Sequence, residues 1–237
     1  MIVLLTDFGV ADPYVGQVHL RLAEAAPAVR VVDLFHGLPN FAVQASAYLV
    51  DAYCQRLPPH AVVMAVVDPG VGGPRHAIAL RAGGRFYVGP DNGLFEMVAR
   101  RERVESCQVL TIPAGAAPSF HGRDVFAPAA AALAQGLPPD AREAPFTRFP
   151  DWPDEWARVL FIDHYGNAIT GLKAHPGRRE IEVAGRRLRR ALTFSDAPSG
   201  EPFFYENANG LLEIAAYEAS AAGLLGLRLA DPLLVLE

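Results

Sequence analysis

The sequence of 237 residues contains only two cysteines, Cys54 and Cys107. Their spacing suits neither a metal site nor a disulfide framework, so we expect two buried thiols and a reducing, cytoplasmic compartment. No run approaches the roughly 18 apolar residues that a membrane-spanning helix needs. The apolar residues at the start of the sequence follow no basic segment. We therefore expect neither a membrane span nor a secretory leader.

Lysine is nearly absent, since Lys173 is the only one and the other basic residues are arginines. The 21 basic residues are outnumbered by 26 acidic ones, which gives a formal net charge of −5. Such a chain lacks the basic surface that nucleic-acid binding requires, so we expect no nucleic-acid partner. Hydrophobic residues make up 51% of the sequence, a proportion typical of a chain that folds around a packed core.

Several signatures of common enzyme classes are also missing. The sequence has no phosphate-binding GxxxxGK(S/T), no dinucleotide-binding GxGxxG and no GxSxG of serine hydrolases. Asp7-Phe8-Gly9 matches a kinase tripeptide, but no glycine-rich loop or strand lysine precedes it. The sequence therefore gives no support for a kinase, for an enzyme with a phosphate-binding or dinucleotide-binding glycine motif, or for a serine hydrolase.

Apolar runs alternate with helical periodicity in the first part of the chain. Runs over 2–6, 29–35 and 61–67 are separated by amphipathic segments, the first of which extends from Asp12 to about Ala26. This order, with continuous rather than alternating apolar strands, predicts a mostly parallel sheet flanked by helices. Asp12 and Pro13 are predicted as the N-cap and first position of the first helix.

The pattern changes after Asp68. Two close strand-like runs joined by Gly83-Gly84 predict an antiparallel hairpin, so the sheet is expected to be mixed. A proline-rich stretch over 141–157 is predicted to link an α/β domain (1–140) to a second domain (158–237). The short strand-like segments of that second domain, separated by Gly, Asn or Pro, predict a small antiparallel β-barrel.

Candidate functional residues lie at predicted strand ends, where ligands collect in open α/β sheets. Asp7 ends the first apolar run and Asp68 the third, and a Gly/Pro-rich loop leads from Asp68 to Arg75. His121 precedes a predicted helix, where an imidazole can titrate near neutrality. Two interpretations of Asp68 remain open, a functional carboxylate or a loop cap paired with Arg75. A metal site built from carboxylates and His121 is chemically possible, although no HxxxH or HxD pair supports it.

Six blocks taken together resemble the S-adenosylmethionine hydroxide adenosyltransferase family, whose halide-using relatives are fluorinating and chlorinating enzymes. The blocks are TDFGVADPYVG, VVDPGVGGPR, YVGPDNGLF, SFHGRDVFAPAAA, IDHYGNAIT and FFYENANGLLEIA. They run in order through nearly the whole chain. The resemblance implies an α/β domain followed by a β-barrel domain, a homotrimer with sites between subunits, and hydrolysis of S-adenosylmethionine to adenosine and methionine without a metal or redox cofactor.

The resemblance also implies roles for individual residues. Asp68, Arg75 and His121 match the group that activates water. Asp7 matches a carboxylate that holds the ribose hydroxyls, Asp12 one near the methionine amino group, and Phe41 an aromatic side chain against the sugar. In the barrel domain, Asn167 matches an adenine-reading amide, Tyr165 and Phe194 the aromatic walls, and Asp163 and Asn209 the methionine end.

The choice among chemistries depends on two positions. Halogenating relatives carry tyrosine and serine around the halide where this sequence has Asp68 and Gly122. A carboxylate repels an anion and can accept a proton from water, so hydrolysis is expected rather than halogenation. The sulfonium epimer is open, and the R epimer is one candidate. Two alternatives remain, a metal-dependent hydrolase using Asp7, Asp68 and His121, and a non-catalytic adenosine-binding sensor.

Overall fold

A computed structural model describes residues 1–175 and 177–236. The chain divides into two compact units, Met1–Pro150 and Asp151–Glu237. Pro176 and Glu237 lie outside the described residues. No helix among the described residues is both long enough and apolar enough to cross a bilayer.

The first unit is a mixed sheet with helices. Its strands are β1 (Ile2–Thr6), β2 (Val31–Phe35), β3 (Val62–Val66), β4 (Ala77–Ala82), β5 (Arg85–Pro90), β6 (Val104–Leu110) and β7 (Ala141–Glu143). Its α-helices are α1 (Tyr14–Ala25), α2 (Val43–Cys54), α3 (Glu96–Arg101) and α4 (Ala127–Ala134), and a π-helical turn (Gly122–Phe126) leads into α4.

The seven strands lie in the order β2-β1-β3-β5-β4-β6-β7. The pairs β1–β2, β1–β3 and β3–β5 are parallel, whereas β4 runs antiparallel to both of its neighbours. Every residue of β1 and β3 is buried, as expected for strands covered on both faces. Ile2 and Leu4 pack in one core cluster with Val18 and Leu22 of α1. The predicted mixed, mostly parallel sheet is confirmed.

Two local predictions differ from the structure. Helix α1 begins at Tyr14, and no side chain caps its N-terminus, so Asp12 is not the N-cap that the sequence predicted. Pro13 instead occupies that position. The expected linker over 141–157 is also shorter at its start, because Ala141–Glu143 pairs with β6 as the edge strand of the sheet. The nearby prolines, at positions 138, 139 and 145, lie outside this strand and so do not remove any of its hydrogen-bond donors.

The second unit is antiparallel. Its strands are β8 (Trp156–Ile162), β9 (Ala168–Lys173), β10 (Glu180–Val183), β11 (Arg186–Arg189), β12 (Pro202–Glu206), β13 (Leu211–Ala216) and β14 (Leu233–Leu236). A short 3-10 turn (Phe194–Asp196) and α5 (Ala221–Leu225) complete it.

These strands form two sheets, β12-β13-β9-β8 and β11-β10-β14. Single bridges join the sheets at both ends, Arg190 to Phe204 between β11 and β12, and Arg158 to Pro232 between β8 and β14. The ring of strands surrounds an apolar cluster that includes Val159, Ile181 and Ile214, which are 0–1% exposed. The second unit thus has a barrel-like arrangement, as the short strands predicted, with antiparallel pairing within both sheets and a parallel bridge between Arg190 and Phe204.

Candidate active site

The first candidate site lies at the carboxyl edge of the parallel strands. Asp7 follows β1 directly, and Asp68 follows β3 by two residues. Thr6 and Val66 are partners across the parallel ladder, and the Asp7 backbone N–H donates to the Val66 carbonyl at 3.2 Å. Because parallel neighbours end at the same edge, their register brings the two acidic side chains to one place.

Asp68 and Arg75 form a buried bidentate pair. Arg75 Nε donates to Asp68 Oδ1 at 3.0 Å, and Arg75 Nη2 donates to Asp68 Oδ2. The Arg75 side chain is only 10% exposed and the Asp68 side chain 5%, so water screens their attraction weakly. The guanidinium also lies 5.4 Å from the centre of the Phe126 ring, which packs against its face. Arg75 is thereby held rigidly next to the carboxylate.

His121 completes this group from the segment before α4. Arg75 Nη2 lies 3.0 Å from His121 Nδ1. A guanidinium can only donate, so Nδ1 must be the acceptor and the neutral imidazole must carry its proton on Nε2. Burial lowers the pKa of His121, and the positive charge of Arg75 lowers it further. His121 is therefore a neutral ring whose Nε2–H can donate a hydrogen bond.

A glycine in the loop from Asp68 to Arg75 allows the loop to approach the His121 segment. Gly72 adopts a φ of +76°, and a Cβ there would lie 2.6 Å from the Pro118 carbonyl oxygen. Both the backbone conformation and the space exclude a larger residue without rearrangement. The Gly/Pro-rich composition of this loop thus has a structural reason.

A cavity of about 430 Å³ opens beside this group. Its lining includes five predicted site residues, Asp7, Asp12, Phe41, Asp68 and His121. Burial raises the pKa of Asp7, and the nearby charge of Asp68 also raises it.

Phe41 contributes an exposed aromatic side chain to this cavity. Its backbone has a φ of +61°, a conformation that bulky residues rarely adopt. The Phe41 N–H donates to Asp7 Oδ2 at 3.2 Å, which ties this strained residue to the carboxylate. This hydrogen bond helps to keep the strained residue in place, with its aromatic side chain 73% exposed in the lining of the cavity.

Sequence reasoning missed an aromatic cluster in the same cavity. The rings of Phe8, Tyr14 and Phe120 lie with their centres 5.5–6.0 Å apart and all three residues line the cavity. A Cβ on Gly122 would lie 3.1 Å from the Phe8 ring and 3.3 Å from the Phe120 ring. The available signal was adjacency, because each ring stands within two residues of a predicted site residue in the sequence.

A second cavity, of about 610 Å³, lies in the second unit. Its lining includes Tyr165, Asn167 and Phe194, which the sequence had grouped as a nucleoside-binding set. Gly166, with a φ of +84°, lets the turn between β8 and β9 pack on Ser220, since a Cβ there would lie 2.0 Å from Ser220 Oγ.

Asp163 and Asn209 are placed differently from these three residues. In the described part of the chain, neither belongs to the lining of the second cavity. Asp163 Oδ1 accepts from the backbone N–H groups of Tyr165 and Asn167 at 2.9 and 2.8 Å, so this carboxylate holds the turn. Asn209 lies in the turn between β12 and β13, where its N–H donates to Asn207 Oδ1 at 2.9 Å.

The geometry gives no support to the metal-site alternative. Among the described residues, no three His, Cys, Asp or Glu side chains are grouped as metal ligands would be. Arg75 already occupies both oxygens of Asp68 and the Nδ1 atom of His121. Cys54 and Cys107 are buried free thiols, as predicted.

The fold and this polar cavity define a two-part α/β and antiparallel-β protein with a buried Asp–Arg–His group. Two family models match it, the SAM hydroxide adenosyltransferase N-terminal domain over residues 2–143 and the corresponding C-terminal domain over residues 157–234. The chain therefore belongs to the SAM hydroxide adenosyltransferase family, as its sequence blocks indicated.

Individual relatives agree with this membership. The chain is 44% identical to a Thermus thermophilus protein named (R)-S-adenosyl-L-methionine hydrolase, with 98% of each chain covered. It is 27% identical to a fluorinase from Actinoplanes sp., with 94% of this chain and 92% of the fluorinase covered. A crystal structure of an uncharacterized conserved protein from Thermotoga maritima superposes with a TM-score of 0.88 at 26% identity, covering 98% of both chains.

Proposed function

We propose that this protein hydrolyses S-adenosyl-L-methionine, with the R configuration at sulfur, to adenosine and L-methionine. The observation that carries the proposal is the buried Asp68–Arg75–His121 group beside the cavity of the first unit. The family membership and the name of the 44% identical relative support the reaction and the epimer.

In the proposed reaction, water attacks C5′ of the ribose. The new O–C5′ bond forms while the C5′–S bond breaks, and its electron pair stays on sulfur as the neutral thioether of methionine. Because this leaving group needs no proton, only the attacking water requires assistance. The reaction requires no electron transfer, and we propose no redox or metal cofactor.

We propose that Asp68 is the base that accepts the proton of the attacking water. Each oxygen of a carboxylate has two lone pairs, so Asp68 can accept from water while it remains bonded to Arg75. His121 is not suited to be the base, because its Nδ1 accepts from Arg75 and its Nε2 carries the proton. Its Nε2–H instead orients the water oxygen. Arg75 holds both partners in the geometry that attack requires.

The remaining predicted residues are proposed as substrate contacts. On the cavity of the first unit, Asp7 binds the ribose hydroxyls, Phe41 packs against the sugar and Asp12 binds the methionine amino group. On the cavity of the second unit, Asn167 binds adenine between Tyr165 and Phe194. We propose that Asn209 binds the methionine end, and that Asp163 serves this end while holding the turn that carries Asn167.

We further propose a cytoplasmic homotrimer. The family resemblance implies sites between the first domain of one subunit and the second domain of the next. The exposure of Phe41 and Tyr165, at 73% and 77%, is consistent with rings that become covered on assembly or on substrate binding. The buried free thiols suit a reducing compartment.

The proposal is tested by incubating the purified protein with each sulfonium epimer in ¹⁸O-labelled water. Adenosine is quantified by chromatography, and its label is located by mass spectrometry. We expect label in the 5′-oxygen and faster turnover of the R epimer. Tight adenosine binding without turnover of either epimer would instead favour the sensor function. Loss of turnover with a chelator, restored by a divalent cation, would favour the metal-dependent alternative.

A further inference from the structure

Glu213 is a buried carboxylate in the second unit that the proposed reaction does not use. It lies in β13, is 5% exposed and faces Tyr205 directly across the ladder to β12. In the described part of the chain it forms no ion pair. The hydrogen-bond donors that stabilise its carboxylate are neutral side chains. Burial raises its pKa, and the nearby charge of Asp163 raises it further. A buried acid in such a setting destabilises the fold unless its hydrogen bonds are made.

Two of those bonds have an unambiguous direction. Tyr205 OH donates to Glu213 Oε1 at 2.7 Å, and Asn207 Nδ2 donates to Oε2 at 3.0 Å. The orientation of Asn207 is fixed, because its Oδ1 accepts from the N–H groups of Asn209 and Leu211 at 2.9 and 3.1 Å. Glu213 is therefore the acceptor at the centre of this network.

Asn167, a residue of the second cavity, lies close to Glu213. It directly precedes β9, where Ile169 pairs with Glu213 across the ladder, and its Nδ2 donates to Asp163 Oδ2 at 3.0 Å. Hydrogen bonding with the Asn167 side chain lowers the pKa of Glu213. Carboxylates can only accept, so two of them beside one amide fix the amide nitrogen on their side. Among residues 1–175 and 177–236, no hydrogen bond reaches Asn167 Oδ1. The side chain is buried, yet its carbonyl oxygen is left for a ligand.

We propose that Glu213 is a positioning residue that, with Asp163, orients Asn167 so that the cavity presents an acceptor to the base. A ligand must then offer a donor, as the 6-amino group of adenine does and the 6-oxo group of hypoxanthine does not. Glu213 also steadies the aromatic wall, since Tyr205 packs against Phe194 with ring centres 5.2 Å apart. This inference rests on the proposed function, which makes an adenine nucleoside the ligand.

The test compares adenosine with inosine, titrated separately into the full-length protein by calorimetry. In Glu213→Gln, one of the two acceptors beside the Asn167 amide gains a donor, so Asp163 alone opposes rotation of the amide by half a turn. We expect the ratio of adenosine to inosine affinity to fall by roughly tenfold or more, because a mismatched buried polar group carries that penalty. The ratio is the readout because general loosening of the fold would weaken the binding of adenosine and of inosine to the same extent.

Two matched variants separate positioning from folding. Glu206→Gln makes the same change on the adjacent strand, where the side chain is 53% exposed, and should keep the wild-type ratio. Glu213→Asp keeps the carboxylate and should keep most of the preference even if both affinities fall. If Glu213→Gln fails to fold, wild-type binding of purine riboside, which lacks the 6-amino donor, serves instead, and we expect it to be roughly as weak as that of inosine.

A folded Glu213→Gln with the wild-type ratio overturns the inference, as does a wild-type protein that binds all three nucleosides equally. Hydrolysis by the wild-type protein is assayed in parallel. If the wild type hydrolyses the substrate but Glu213→Gln keeps the wild-type ratio of adenosine to inosine affinity, only the role of Glu213 is refuted. If the affinity ratio falls in Glu213→Gln but the wild type hydrolyses neither epimer, only the proposed reaction is refuted.

Discussion

Arg75 donates from Nη2 to His121 Nδ1 across 3.0 Å while the same guanidinium binds both oxygens of Asp68. One arginine thereby decides the protonation state of its histidine neighbour and the position of its acidic neighbour. The acid and the imidazole come from segments 53 residues apart, Asp68 and His121. Their relationship exists only through the side chain between them.

The first prediction concerns pH. Burial and the charge of Arg75 lower the pKa of His121 below its usual 6.5, so the ring is neutral at neutral pH. When pH falls through this lowered pKa, Nδ1 gains a proton and can no longer accept the hydrogen bond from Arg75. The positively charged imidazolium then lies next to the positively charged guanidinium. We expect kcat to be level near neutrality and to fall in acid, with a midpoint below 6.5.

A pH–rate profile on the wild type and on His121→Asn checks this. Asparagine can place an acceptor near the Nδ1 position but does not titrate, so the rate should be lower and the acid limb assigned to His121 should disappear. An unchanged acid limb in the variant would assign the titration to another group.

The second prediction concerns Asp68. Replacing it with Asn keeps the shape but removes the proton acceptor, and kcat should fall by about 10²–10⁴-fold. Adenosine affinity should change little, because the change does not alter the base-binding cavity. Steady-state rates and calorimetry measure the two effects, with the exposed Asp151→Asn as the control. Wild-type turnover in Asp68→Asn would refute the assignment.

The third prediction concerns the loop between Asp68 and Arg75. Gly72→Ala should lose about 1–2 kcal/mol from its left-handed backbone conformation, and more from the contact with Pro118. Gly84→Ala is the matched control, because Gly84 shares a φ of +76° but has nothing within 4 Å of an added Cβ. Only Gly72→Ala should also reduce kcat. Denaturant unfolding and rates on both variants decide this, and equal behaviour would mean that the loop tolerates displacement.

The fourth prediction concerns Glu96, whose side chain is 0% exposed and pairs with Arg100 and Arg148. Burial alone would raise its pKa, but hydrogen bonds from Arg148 and Arg100 outweigh that effect and lower it below 4.5. Replacing Glu96 with Gln should reduce the free energy of unfolding at neutral pH by about 1.5–3 kcal/mol, the range for hydrogen bonds to a charged group.

The pH dependence of that loss identifies its cause. A lowered pKa stabilises the fold above the unfolded-state pKa, and this stabilisation is lost as pH falls through the folded-state pKa. The difference between wild type and Glu96→Gln should therefore be constant above about pH 5 and shrink in stronger acid. Urea unfolding across this range measures it. A difference that does not vary with pH would point to packing rather than charge.

The sequence by itself determined the architecture of both parts. Continuous apolar runs predicted buried parallel strands, Gly83-Gly84 predicted the hairpin of β4 and β5, and the short strands after residue 158 predicted the antiparallel second unit. These features depend on local periodicity and turn chemistry, which neighbouring residues encode. Strand ends also directed attention to Asp7 and Asp68. The sequence blocks identified the family correctly, and they implied roles for Arg75 and His121, which the loop and helix patterns had already singled out.

Only the tertiary structure decided how these residues act on one another. That Arg75 donates to Nδ1 of His121 depends on the packing of the 68–75 loop against the segment before α4, which no local pattern records. The start of α1 after Asp12 and the edge strand Ala141–Glu143 were likewise settled by contacts rather than propensity. In the sequence, Glu213 is simply one polar residue within an otherwise apolar strand. Its donors, Tyr205 and Asn207, come from β12 and the turn after it, and Asn167 lies before β9. Such directional contacts between strands become visible only when the chain is folded.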